Sequence, residues 1–252
     1  MWARITRLMV MATAVAVLAL GWSPNLAQAA GPYLTGSAAM RDCVNISLSG
    51  CQPVGSWSAG TPVSMTCWID DSWATGAYSS NRWFYVVNGT KKSFVHSSWV
   101  ASQTSVPHCS THAGVMASRW GSMHRDQTRP SAYEASVLGI SNGIWSGWCA
   151  AFTYGSYKLG AGRTPKYAGN AAPRYWAYKN AGLMRQWTGG DINVGSMLFW
   201  PNLAAPYGHT AIYAGNGYVI STIGNGDPTK PVLRVPVSYF GAPAGWVAYW
   251  DV

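Results

Sequence analysis

Trp145-Ser146-Gly147-Trp148-Cys149-Ala150-Ala151-Phe152-Thr153-Tyr154 is the stretch on which the fold reading turns. Gly147 permits a tight turn. After it, Ala150, Ala151, Phe152 and Tyr154 read as a helix that Gly160 or Gly162 would end. Cys149 then opens that helix. Unpaired N–H groups and the helix dipole favour negative charge there. Such an environment lowers a thiol pKa, and the thiolate is the nucleophilic form. The same N–H groups are suited to hold an oxyanion.

Downstream, Gly195-Ser196-Met197-Leu198-Phe199-Trp200 reads as a strand followed by a polar loop. Tyr207-Gly208-His209-Thr210-Ala211-Ile212-Tyr213-Ala214-Gly215-Asn216-Gly217-Tyr218-Val219-Ile220-Ser221 then reads as a hairpin turning at Gly215-Asn216-Gly217. This puts His209 at the start of a strand beside a glycine. Imidazole titrates near neutrality, so it can take a thiol proton and return it to a leaving group. His96, His108, His112 and His124 read as surface or hydrogen-bonded residues. His108, Cys109 and His112 cluster without a second set of ligands, so no metal and no cofactor is expected. Gly245-Trp246-Val247-Ala248-Tyr249-Trp250-Asp251-Val252 reads as a closing strand in the core.

The five cysteines are at 43, 51, 67, 109 and 149. Four lie upstream and suit disulfides of an exported chain. They allow three connectivities, between which the sequence does not choose. A local Cys43–Cys51 loop with a longer Cys67–Cys109 closure is the one favoured. Cys149 is left over as a free thiol.

Export is also read at the start of the chain. Arg4 and Arg7 precede an uncharged apolar run over residues 8–20, and Ala27-Gln28-Ala29 offers a cleavage site. That is the grammar of a signal peptide over residues 1–29. The run is about 13 residues, against roughly 20 needed to span a bilayer. The expected product is secreted or wall-associated, without membrane attachment after cleavage, and monomeric. Charged residues make up 10% of the chain, with 15 Trp and 14 Tyr, which points to aromatic-rich sheet rather than disorder. The formal charge of +9, or +7 without Arg4 and Arg7, favours anionic partners. Basic residues are scattered, with only Lys91-Lys92 adjacent, so nucleic acid is not the expected partner.

Residues 40–109 read as short strands and turns. Residues 62–68 alternate partially. Arg82-Trp83-Phe84-Tyr85-Val86-Val87 is followed by the turn signal Asn88-Gly89 and by Ser93-Phe94-Val95-His96. Residues 58–61 and 70–78 read as loops. Val54-Gly55-Ser56, Ala59-Gly60-Thr61-Pro62-Val63, Trp68, Arg82-Trp83-Phe84 and Phe94-Val95-His96-Ser97-Ser98-Trp99-Val100 together resemble a bacterial Src-homology-3 domain. The resemblance implies a wall-targeting module over residues 36–109, in which Trp83, Tyr85 and Trp99 either line a groove or form core. Residues 113–124 carry Val115, Met116, Trp120 and Met123 at helical intervals, and the domain boundary is placed near 110.

Gly147-Trp148-Cys149-Ala150-Ala151-Phe152, Gly195-Ser196-Met197-Leu198-Phe199 and Gly208-His209-Thr210-Ala211-Ile212-Tyr213, in that order, resemble the CHAP (cysteine, histidine-dependent amidohydrolase/peptidase) and NlpC-like hydrolases over residues 113–252. The resemblance implies an α+β fold in which a small all-β barrel is followed by a papain-like domain. It also implies an enzyme that cleaves an amide of the peptidoglycan stem through Cys149 and His209, as an endopeptidase or as an N-acetylmuramoyl-L-alanine amidase. The family's third residue, which holds the imidazole, aligns with Ser221. A two-residue turn would put Thr222 on the His209 face instead, and Asn225 and Asp227 are near enough to reach. Asn142 is an oxyanion candidate. The competing function is a wall-binding protein with little or no catalysis.

Overall fold

The computed structural model describes residues 31–47, 51–190 and 192–252. The signal-peptide reading lies outside the described residues. The N-terminal half is built from strands β1 (Tyr33–Leu34), β2 (Ala38–Met40), β3 (Gly55–Trp57), β4 (Ser64–Thr75), β5 (Ser79–Asn88), β6 (Lys91–His96) and β7 (Val100–Ala101). β4, β5 and β6 form an antiparallel sheet, while β2 pairs with β3 and β1 with β7. β4 continues through residues 70–75, where the sequence pattern is that of a loop, because Asp70 pairs with Arg82 and Ala74 with Ser80 across an irregularity in the register. An Arg82–Asp70 ion pair at 2.9 Å supports this polar extension.

Alternation along β5 serves two cores, since successive side chains face opposite ways. Phe84 and Val86 pack with Leu34, Trp57, Val63 and Val95. Trp83 and Tyr85 face the other way, onto Phe94, Val115 and Val194. Trp83 and Tyr85 are therefore core residues, 2% and 5% exposed. Trp99 packs against the first cluster. Disulfides join Cys43 to Cys51 and Cys67 to Cys109, with S–S lengths of 2.08 and 2.14 Å.

The C-terminal half begins with helices α1 (Ala113–Met123), α2 (Ala132–Leu138), α3 (Cys149–Gly155) and α4 (Ala171–Asn180). Strands β8 (Met197–Trp200), β9 (His209–Gly215), β10 (Tyr218–Thr222), β11 (Val232–Pro236) and β12 (Gly245–Val247) follow, in the antiparallel order β11-β10-β9-β8-β12. The tail strand thus closes the sheet beside β8. Central β9 is buried along its whole length. Ile212 faces α1 and α4, packing with Ala117, Tyr175 and Tyr178. Ala211 and Tyr213 face the opposite layer with Leu198, Trp200 and Val237. Among the described residues, no helix is long and apolar enough to cross a membrane.

The two halves are tied together across residues 31–252, which form one compact unit. Buried Asp42 pairs with Arg234 at 2.7 Å and Arg125 at 3.4 Å. Asp71 pairs with Arg119. The Asn216 side chain bridges Lys92, accepting from its N–H at 3.1 Å and donating to its carbonyl at 2.9 Å.

Candidate active site

Helix α3 starts at Cys149, after Gly147 at φ +83° and the N-cap Trp148. A positive φ suits glycine, and here the backbone also leaves little room. A Cβ on Gly147 would lie 3.3 Å from the Gly226 nitrogen. The Gly226 N–H donates to Ser146 Oγ at 3.2 Å, which docks the turn before Cys149 onto the loop after β10. Below the helix, Phe152 packs edge-on against Trp145 at 5.3 Å and tilted against Trp120 at 5.5 Å. Helix α3 is therefore docked at its start through the Ser146–Gly226 contact and along its body through Phe152.

Gly208 leads into β9 at φ +74°, and a Cβ there would approach the Ala172 nitrogen to 2.6 Å. The Ala172 N–H donates to the Tyr207 carbonyl at 2.8 Å. The start of α4 thus holds the loop that presents His209. The Cys149 thiol donates to the Gly208 carbonyl at 3.9 Å. Cys149, a half-buried free thiol, and His209 line one cavity of about 970 Å³. That is near the upper end of the volume range of ligand pockets. Trp148, Leu203, Tyr207, Thr222, Asn225 and Tyr239 line it too. Tyr207 and Tyr239 are 62% and 56% exposed, so they form an accessible aromatic rim.

Burial pushes the Cys149 thiol up, against opposing pulls from the Thr210 N–H, the Arg174 guanidinium and the N–H groups of Ala150 and Cys149 itself. Burial lowers the His209 imidazole from 6.5 to about 4. At neutral pH the resting pair is consequently thiol and neutral imidazole. Neutral imidazole is the form able to accept the thiol proton. The ring is held by aromatic faces, with Phe240 at 4.2 Å and Trp200 at 5.8 Å between centroids. Its Nε2 is buried without a hydrogen-bond partner.

The remaining candidates fall in different places. Ser221 is buried, and its hydroxyl donates to the Thr210 carbonyl at 2.7 Å. The register Val219–Tyr213 and Ile220–Ile212 runs Ser221 onto the His209 side of the sheet. Asn225 lines the cavity with Cys149 and His209, as does Thr222, whose Oγ1 is buried and unpartnered. Asp227 turns away to Thr229, accepting from its N–H at 2.9 Å and hydroxyl at 2.7 Å. Asn142 Oδ1 accepts from the Trp148 indole at 2.9 Å, which steadies a cavity-lining ring. His96 and His124 are structural: His96 bonds Ser98 and Ser80, and His124 bonds Glu134 at 2.6 Å. Sequence reasoning missed Phe240, Tyr207 and Tyr239. Nothing in their local pattern separates a ring against the imidazole from an ordinary loop aromatic. Among the described residues, no three His, Cys, Asp or Glu side chains gather as metal ligands would.

No protein-family model matches the chain, and no curated protein matches it. Solved structures similar to it include the following three. NlpC2 from Trichomonas vaginalis is 12% identical with a TM-score of 0.30, over 87% of this chain and 72% of that one. NlpC1 from Trichomonas vaginalis is 10% identical with a TM-score of 0.35, over 87% and 69%. An NlpC/P60 family protein from Bacillus cereus is 14% identical with a TM-score of 0.29, over 86% of this chain and 62% of that one. Similarity of this degree leaves the cavity's own geometry to carry the functional reading.

Proposed function

We propose that the protein is a secreted cysteine hydrolase that cleaves an amide bond of the peptidoglycan stem peptide, with Cys149 as nucleophile and His209 as base. One observation carries this reading. The single free thiol opens a helix and shares a large accessible cavity with a buried neutral imidazole, while the other four cysteines are locked in disulfides. In the reaction, His209 takes the thiol proton and the Cys149 sulfur bonds to the amide carbonyl carbon. The C–N bond breaks and the leaving amine receives the proton from His209. Water, activated by His209, then cleaves the thioester to a carboxylic acid and restores the thiol. The unpaired N–H groups at the first turn of α3 are suited to stabilise the oxyanion.

Export is supported by the two disulfides and by the signal-like start of the chain. The β-rich residues 36–109 are proposed as a bacterial Src-homology-3-like, wall-targeting module beside a papain-like hydrolase of residues 113–252. The exposed Trp73 and Tyr78 are its available aromatic contacts, since Trp83 and Tyr85 are buried. Digestion of purified peptidoglycan by the mature protein and by Cys149→Ala, followed by mass spectrometry of the soluble fragments, tests the reading. New fragment ends from the wild type alone are expected. They separate an endopeptidase, which cuts between stem residues, from an amidase, which frees whole stems.

A second reading has its own observation. The imidazole Nε2 lacks a polar partner, which weakens the base and favours a wall-binding protein with little turnover. Wall retention without release of fragments by either protein would select it.

A further inference from the structure

Arg174, in α4, is 2% exposed, and every hydrogen bond it makes goes to a neutral acceptor. Its Nη1 donates to Thr153 Oγ1 at 3.1 Å and to Met197 Sδ at 3.8 Å. Its Nη2 donates to the carbonyls of Ala150 at 3.0 Å and Gly169 at 2.9 Å. Its Nε has no partner. Among the described residues, the ionisable groups whose charge acts on it are Tyr178 on α4 and Cys149 and Tyr154 on α3, none of them a carboxylate. His209 of β9 lies in the same cavity wall as Cys149.

A buried guanidinium keeps its proton, and an uncompensated buried charge is costly. If Arg174 only filled space or clamped α3, an apolar or neutral side chain of similar size would do so without that cost. Its bonds instead grip the first turn of α3, at Ala150 beside the nucleophile and at Thr153. Tyr178 is pushed by burial to about 12 and is neutral at physiological pH. Cys149 is the group facing Arg174 that becomes an anion during the reaction.

We propose that Arg174 is a positioning residue: its sealed guanidinium beneath α3 is the counter-charge for the Cys149 thiolate. The inference rests on the reading of Cys149 as nucleophile. When the thiol proton passes to His209, sulfur keeps the electron pair and gains a negative charge. Arg174 stays protonated throughout and transfers nothing. It stabilises the anion from the helix side while His209 holds the proton on the strand side.

The test is the rate of Cys149 alkylation by iodoacetamide as a function of pH, on the disulfide-intact mature protein. Wild type, Arg174→Met, Arg174→Gln and Arg174→Lys are compared, with folding of each followed by circular dichroism. Loss of the charge in the Met and Gln variants is expected to raise the ionisation midpoint by about one pH unit or more, with about tenfold slower alkylation at pH 7. Arg174→Lys is expected to keep most of the wild-type profile. A folded Met or Gln variant with the wild-type profile would overturn the proposal. So would an Arg174→Lys profile shifted as far as those of the Met and Gln variants, since that substitution keeps the charge. Alkylation uses no wall substrate, so failure of the peptidoglycan reading appears only in the digestion and leaves this outcome untouched.

Discussion

At the scale of single residues, the site depends on burial more than on polar partners. His209 is lowered to about 4 because its ring is packed among Phe240 and Trp200. Under the proposed mechanism, His209 of the free protein therefore stays able to accept a proton down to that pH. The acid limb of kcat/KM is expected near 4 rather than near 6.5. Stability has the matching sign. The folded pKa lies below the unfolded one, so the unfolded chain binds the extra proton. Stability falls as pH drops from 6.5 toward 4, by about 3 kcal/mol, and is level above that window. Urea midpoints for wild type and His209→Gln across this range would show the difference. Phe240→Ala frees the ring and is expected to lower kcat roughly tenfold to a hundredfold with the fold intact. The helix start at Cys149 and the strand start at His209 were legible in the sequence, because a glycine turn before a helical run and a glycine before an apolar run are local patterns. The environment of Nε2 was not. It depends on loop residues far along the chain and on a register that only the folded hairpin determines.

At the scale of elements, two short segments support the site: α2, whose Ala135 and Leu138 pack in one cluster with Phe152 of α3, and the glycine entry to β9. Helix α2 has a capping box in which Ser131 Oγ accepts from the Glu134 N–H at 3.2 Å and the Ser131 N–H donates to Glu134 Oε2 at 2.8 Å. The Ser131-to-Glu134 spacing of that box is visible in the sequence, but the helix is short and without a buried face of its own. Burial disfavours the Glu134 carboxylate, yet hydrogen bonds from His124 and Ser131 outweigh it and hold the group at about 2. Its stabilising effect is complete above pH 4.5 and is lost as pH falls from there toward 2. Glu134→Gln is expected to flatten thermal stability over that acid window and to cost about 1–3 kcal/mol at neutral pH, read from urea midpoints. Gly208→Ala is the corresponding test of the strand entry. The positive φ and the 2.6 Å approach to Ala172 force the loop or α4 to shift. At least a tenfold loss of kcat/KM is expected, with a lower melting temperature. The β8–β10 strands and the turn between β9 and β10 were readable from apolar runs and Gly-Asn-Gly. The extension of β4 through residues 70–75 was not, because Asp70 and Thr75 are satisfied across the strand pair by Arg82 and Ser79, while Asp71 and Ser72 reach Arg119 and Asn45 far along the chain.

At the scale of the whole molecule, the N-terminal strands and the helix-covered sheet share a core. Cys67, Cys109, Val115 and Val194 belong to one cluster. No local periodicity reveals that sharing, since each half has a self-consistent pattern. Asp42 sits at the seam with Arg234 and Arg125. Asp42→Ala leaves those cations without their acid and is expected to cost about 3–5 kcal/mol in chemical denaturation. The Cys67–Cys109 bridge spans a sequence separation of 42 residues. Its removal as a paired Ser variant should cost about 4 kcal/mol in the chain-entropy view. The seam matters for function because α1 contributes Val115 to the shared core and Trp120 to the packing around Phe152 of α3.

The central claim is that Cys149 forms a covalent acyl-enzyme during amide cleavage. The most direct measurement is digestion of purified peptidoglycan in the presence of hydroxylamine, by wild type and by Cys149→Ala, with mass spectrometry of the released fragments. The account predicts hydroxamate-ended fragments from the wild type, because a thioester is open to attack by the amine, and no release by the variant. Release of the same fragments at the same rate by Cys149→Ala would contradict it.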